Sequence, residues 1–155
     1  MRRVTTTVLA IVLASTASFA VAGEHQGNPA VKARQAHMEL YGHNLYYLLG
    51  VARGRSEYNA ELAQAAADSL VALHTVSQMR YWAPGTDSES VEGSRALPAL
   101  WENFPTVFGI VGESVAAANA LQAVASDGVE AMGPAAQALN QTCNDCHRDF
   151  RVRDN

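Results

Sequence analysis

The chain has 155 residues, enough for one domain with a real core, since 48% of it is hydrophobic and 17% charged. Its formal net charge is −4 and no basic stripe runs along it, which argues against nucleic-acid binding. The two cysteines, both near the C-terminal end, are too few for a disulfide scaffold and point instead to a chemical task.

Arg2 and Arg3, a short apolar run over 8–14 and the small residues Ala20-Val21-Ala22 read as a secretory signal peptide spanning 1–22. The apolar run is too short for a membrane span of about 20 residues. Cleavage after Ala22 leaves 23–155 as a single domain of more negative net charge, since two arginines leave with the peptide. No later segment reads as long and apolar enough to span a membrane, so the mature chain is expected to be soluble.

Four segments carry helical periodicity and none carries a convincing alternation of period two. The first is predicted over 29–52, with Asn28 as N-cap, Pro29 in the first turn, Gly54 as stop, and Val31, Met38, Leu45, Leu48 and Ala52 as its apolar stripe. The second is predicted over 56–80, with Leu62, Ala66, Ser69, Leu73 and Val76 stepping by three or four. Between 81 and 103 the pattern breaks at Pro84-Gly85 and a polar stretch, giving one long connection anchored by Trp82, Leu97, Leu100 and Trp101. Either tryptophan can be a packing anchor or line a cofactor cavity. The third helix is predicted over 104–125, its stripe Phe108, Val111, Val115, Ala118, Leu121 and Ala125. The fourth runs to about 152 and starts either at Pro134 or near Asp127 with a kink, with Ala135, Leu139, Cys143, Cys146 and Phe150 on its inner face. The expected fold is an all-α antiparallel four-helix bundle with one long crossover connection.

The last helix carries Cys143-Asn144-Asp145-Cys146-His147, the C-x-x-C-H pattern of c-type haem attachment. Positions three and four apart lie on one helix face, so both sulfurs reach one edge of a haem and the His147 imidazole projects towards the iron. The rival chemistries fit less well. Tetrahedral zinc needs four ligands, and only Cys143, Cys146 and His147 are at hand. A thioredoxin-like site wants its C-x-x-C beside a βαβ unit. A Cys143–Cys146 disulfide in a haem-free helical binding or stress protein leaves His147 without a purpose.

The segment from Cys143 to Arg151, the start Val31-Lys32-Ala33-Arg34-Gln35-Ala36-His37-Met38 and the middle Leu97-Pro98-Ala99-Leu100-Trp101 together resemble the cytochrome c′ family, over about 28–151. The resemblance implies a bundle with one covalent haem c gripped near one end, in a periplasmic protein that is often a homodimer through the first two helices. It implies that Arg34 lies near a haem propionate and that Arg151, four after His147, lies beside the proximal imidazole. Trp101 joins the cofactor-contacting candidates.

Met38, four residues after Arg34, matches the distal position of the family. There it either stands over an open iron site suited to nitric oxide or carbon monoxide, or binds the iron as in low-spin relatives that carry electrons. His37, His43 and His74 fall off the apolar stripes and are weaker ligand candidates. No distal histidine-arginine pair suggests a peroxidase. The expected function is a non-enzymatic monohaem cytochrome that transfers one electron to redox partner proteins, binds a small gas, or both.

Overall fold

The computed structural model describes residues 27–153, so the segment read as a signal peptide, 1–22, lies outside the described residues. Helix α1 spans Pro29–Ala52, as the capping residues predict: the Asn28 side chain accepts hydrogen bonds from the amides of Ala30 (2.9 Å) and Val31 (3.4 Å), and Pro29 needs no partner at the first position. Gly54 ends the turn beyond α1 with φ at +68°, a conformation that side chains with a Cβ disfavour.

Helix α2, Ala60–Thr75, is shorter than the predicted 56–80. Asn59 caps it by accepting from the Leu62 amide at 2.9 Å, and Val76 turns extended at its other end. The predicted stripe is also rotated: Leu62 and Val76 are exposed, while Ala63, Ala66, Ala67 and Leu70 are buried. Alanines on several faces of this helix offer more than one apolar stripe, and only packing against the neighbouring helices selects the buried one.

After α2 the chain runs through the connection, which contains the four-residue α3, Ala99–Glu102, before α4, Phe104–Val124, and α5, Val129–Phe150. Gly128, at φ +108°, makes the short turn between α4 and α5. Of the two starts predicted for the last helix, the one near Asp127 is close, and Pro134 lies inside α5.

The four long helices form an antiparallel bundle in which α1 and α4 each pack against both α2 and α5. A Cβ on Gly133 of α5 would lie 3.5 Å from the Ala52 Cβ of α1, so the start of α5 meets the end of α1. At the opposite end the connection covers the helix termini, and its residues 95–97 pair with the end of α5.

The core is concentrated in one half of the bundle. Leu45, Leu48, Leu49 and Val51 of α1 pack with Ala63, Ala66, Ala67 and Leu70 of α2. Ala118, Leu121 and Ala125 add the end of α4, and Met132, Ala136 and Leu139 the start of α5. The N-terminal half of α4 behaves differently: Phe108 and Val111 continue the stripe of Ala118 and Leu121 yet are 68% and 46% exposed. By length and composition α4 is apolar enough to cross a membrane, which corrects the expectation that no segment after the leader reaches that mark. Its apolar residues exceed what the packed half of the bundle buries.

Candidate functional site

Cys143, Cys146 and His147 lie in the last two turns of α5, away from the packed half. Cys143 still touches the edge of the core. Both cysteines are free thiols rather than a disulfide. Burial raises the pKa of each; for Cys146 the neighbouring Cys143 and Asp149 add to this. Thiols held neutral in this way are poor nucleophiles, unlike the acidic thiols of redox and hydrolytic enzymes. The His147 side chain is exposed but partly screened from water. That screening lowers its pKa, and the charges of Arg151 and Arg95 lower it further. His147 is thereby kept as the neutral imidazole, the form that binds metals.

The antiparallel registers show what lies level with this triplet. Counted at 1.5 Å per residue from the contact of Ala52 with Gly133, Met38 of α1 is about level with His147, and Arg34 about level with Arg151. Counted from the turn between α4 and α5, Phe108 and Val111 are about level with Cys146 and Cys143. Met38 belongs to the α1 stripe whose members Val31, Leu45 and Leu48 are buried, yet it is 38% exposed. Two thiols and an imidazole thus lie level with accessible apolar side chains on the two neighbouring helices. A large, flat, apolar group such as a haem fits this donor set: it would cover surface worth about 25 cal/mol for each Å² removed from water.

Arg34 is 4% exposed and fully engaged with the connection. Its Nη1 donates to the Tyr81 carbonyl (3.1 Å) and Thr86 Oγ1 (2.8 Å), and its Nη2 to the Thr86 carbonyl and to Ser94 Oγ (2.7 Å). The guanidinium also lies over the rings of Trp82 and Trp101, 5.2 and 5.8 Å from their centroids. Trp101 donates from Nε1 to the Trp82 carbonyl at 3.1 Å, so both tryptophans belong to one braced segment. Sequence reasoning did not show this clamp, because its acceptors lie 47 to 60 residues away. Arg151 sits opposite Ala96 in an isolated antiparallel bridge. Arg95, which no motif singled out, comes from the connection to the same end of α5.

His37 and His74, read as lying off the stripes, are joined through the ring of Tyr41 between α1 and α2. The His37 ring is 4.9 Å from Tyr41, and Tyr41 is 4.8 Å from His74. His74 shares hydrogen bonds with the Leu70 carbonyl (2.7 Å) and with Ser114 Oγ of α4 (2.9 Å). Burial lowers both histidine pKa values below the ordinary 6.5. Each is therefore neutral in the folded state and takes up a proton more readily when unfolded. The stability they carry is complete above pH 6.5 and is lost as the pH falls below it. Denaturation midpoints should drop between about pH 7.5 and about pH 5, and His74→Gln should flatten part of that slope. An equal slope in the variant would remove His74 from the account.

A sequence profile of the family described as Cytochrome C′ matches residues 29–151. A cytochrome c′ of Cereibacter sphaeroides is 32% identical over 99% of this chain and 99% of its own. A solved cytochrome c′ from Rhodobacter Spheriodes superposes with a TM-score of 0.79 at 30% identity, covering 81% of this chain and 96% of its own. Another solved cytochrome c′, also 30% identical, superposes with a TM-score of 0.72 over 80% of this chain and 95% of its own. It is described as having an unusual ligand-controlled dimer dissociation.

Proposed function

Because the chain belongs to the cytochrome c′ family, whose members bind c-type haem covalently, we propose that it is a periplasmic monohaem cytochrome with haem on Cys143 and Cys146 and iron on His147. It transfers one electron with redox partner proteins, binds nitric oxide or carbon monoxide on the Met38 side, or does both, and it is not an enzyme. The observation that carries this reading is the C-x-x-C-H triplet at the end of α5, with exposed Met38, Phe108 and Val111 level with it. Held there by Cys143, Cys146 and His147, a haem would supply a one-electron iron couple and a site for a small ligand.

The protein's own contribution is positional. One turn of α5 sets the spacing of the two sulfurs and the imidazole. Met38, Phe108 and Val111 offer apolar contacts and few hydrogen-bond donors, a setting that suits nitric oxide and carbon monoxide better than oxygen. Arg34 braces the connection, with Trp82 and Trp101, over this end of the bundle. A homodimer through α1 and α2 is supported by exposed Leu40, Tyr46 and Leu62 on those helices, and by the relative with a ligand-controlled dimer. Export rests on the leader read over 1–22, a stretch that the Cereibacter sphaeroides relative also matches, since the two align over 99% of each chain.

A second reading is favoured by the level register of Met38 and His147: Met38 binds the iron and the protein is a low-spin electron carrier. The optical spectrum separates the two. The first reading predicts a high-spin oxidised spectrum and a shift of the reduced spectrum with carbon monoxide. A near-infrared sulfur-to-iron band, lost in Met38→Ala, would establish the second.

A further inference from the structure

We propose that Tyr41 is a specificity-determining residue of the gas site: its phenol, fixed between two histidine rings on the face of α1 that carries Met38, donates a hydrogen bond to a small ligand bound on the Met38 side. The inference rests on the reading that the iron keeps an open position there.

Tyr41 lies three residues after Met38 and four before Leu45, so the three share one face of α1. Counted from the contact of Ala52 with Gly133, it is about level with Asn144, next to Cys143. Tyr41 and Cys143 both pack against the edge of the core cluster. A helical side chain leans over the turn before its own Cα, and the Tyr41 ring does so: it meets His37, one turn back, edge-on at 4.9 Å. The phenol therefore leans from the level of Cys143 towards that of Met38 and His147.

The ring is held from α2 as well, by His74, edge-on at 4.8 Å. Both histidines are anchored in turn, His37 to Gln78 Nε2 at 3.3 Å and His74 to the Leu70 carbonyl and Ser114 Oγ. The Tyr41 hydroxyl itself makes no hydrogen bond to a described residue. Among the described residues every sealed side-chain polar atom has a partner, so this unpaired hydroxyl opens onto accessible space. Burial, with Cys143 nearby, raises its pKa, so the phenol keeps its proton and remains a donor.

Met38, Phe108 and Val111 offer this space apolar contacts, and Tyr41 adds a dipole to it. A gas held by reduced iron draws electron density onto its outer atom. A phenol O–H aimed at that atom stabilises the complex, and does so more strongly where water is scarce. One net hydrogen bond corresponds to a change of about two- to tenfold in affinity. Nitric oxide, the more polar ligand, gains most. Carbon monoxide gains little, but its stretching frequency reports the field directly.

The test uses reduced, haem-loaded protein, with haem content measured in parallel. Tyr41→Phe keeps the ring and removes the donor. Its carbon monoxide complex should show a carbon–oxygen stretch at higher frequency than the wild type in the infrared, and nitric oxide should dissociate about two- to tenfold faster. Tyr41→Leu is read in the same way if Tyr41→Phe does not fold. Tyr58→Phe is the control: it loses hydrogen bonds to the Ala125 carbonyl (3.1 Å) and the Gly128 amide (2.9 Å) at the far end of the bundle, and should leave the stretch unchanged. An unshifted stretch in Tyr41→Phe with normal haem content overturns the proposal. An equal shift in Tyr58→Phe also overturns it, since general loosening rather than the phenol would then be at work. Reduced wild-type protein that takes up no carbon monoxide would instead overturn the open-site reading beneath it.

Discussion

Cys143→Ala combined with Cys146→Ala is expected to abolish covalent haem, and each single change to leave at most one thioether and a reduced yield. The reason is geometric: the two sulfurs are one helical turn apart on α5, and the chain contains no other thiol to replace them. A haem stain after denaturing electrophoresis reads the result, because only a covalent link survives it, and the intact mass gives the number of links. Stability should fall as well. Phe108, Val111 and Met38 have no packed partners within the core cluster, so a group covering them contributes apolar burial that the double variant lacks. A loss of about 3 kcal/mol, on the order of 10 °C in Tm, is the expected scale. Full haem content in the double variant would overturn the assignment of both cysteines.

Arg34→Met is expected to be the most damaging single change away from α5. The substitution keeps the apolar stem but strips hydrogen bonds from the Tyr81 and Thr86 carbonyls, Thr86 Oγ1 and Ser94 Oγ, three of these four contacts being buried. An acceptor left buried and unpaired costs about 1–3 kcal/mol, and part of that returns where water can enter. A net loss of about 3–5 kcal/mol follows. Arg34→Lys should recover little, because an ammonium cannot present the planar fork that meets these acceptors while lying over two indole rings. The denaturant midpoint of haem-loaded protein measures the loss, and hydrogen exchange over 81–96 locates it. Stability in Arg34→Met within about 1 kcal/mol of the wild type would show that the connection does not depend on this residue.

The parts of the molecule legible in the sequence are those written in local chemistry. Asn28-Pro29 marks the start of α1 and Phe104 the start of α4, because caps and a helix-initiating proline act within one turn. The triplet Cys143, Cys146 and His147 needs only helix spacing. The ends and the buried face of α2 were not legible, since alanine is compatible with any face and only packing selects Ala63, Ala67 and Leu70. The clamp of Arg34 and the pairing of residues 95–97 with the end of α5 were hidden for another reason: their partners are distant in sequence, and Thr86, Ser94 and Val152 carry no motif. The contacts of His37 and His74 were hidden because apolar periodicity does not register polar side chains that find partners between helices.

Packing is unevenly divided along the bundle. The end that joins α1 to α2 and α4 to α5 closes on its own leucines, alanines and Met132, whereas the end bearing the two thiols relies on braces and on whatever covers its bare apolar wall. One end is therefore a hub closed by the chain's own side chains, while the other is held by the Arg34 clamp and by the pairing of residues 95–97 with the end of α5.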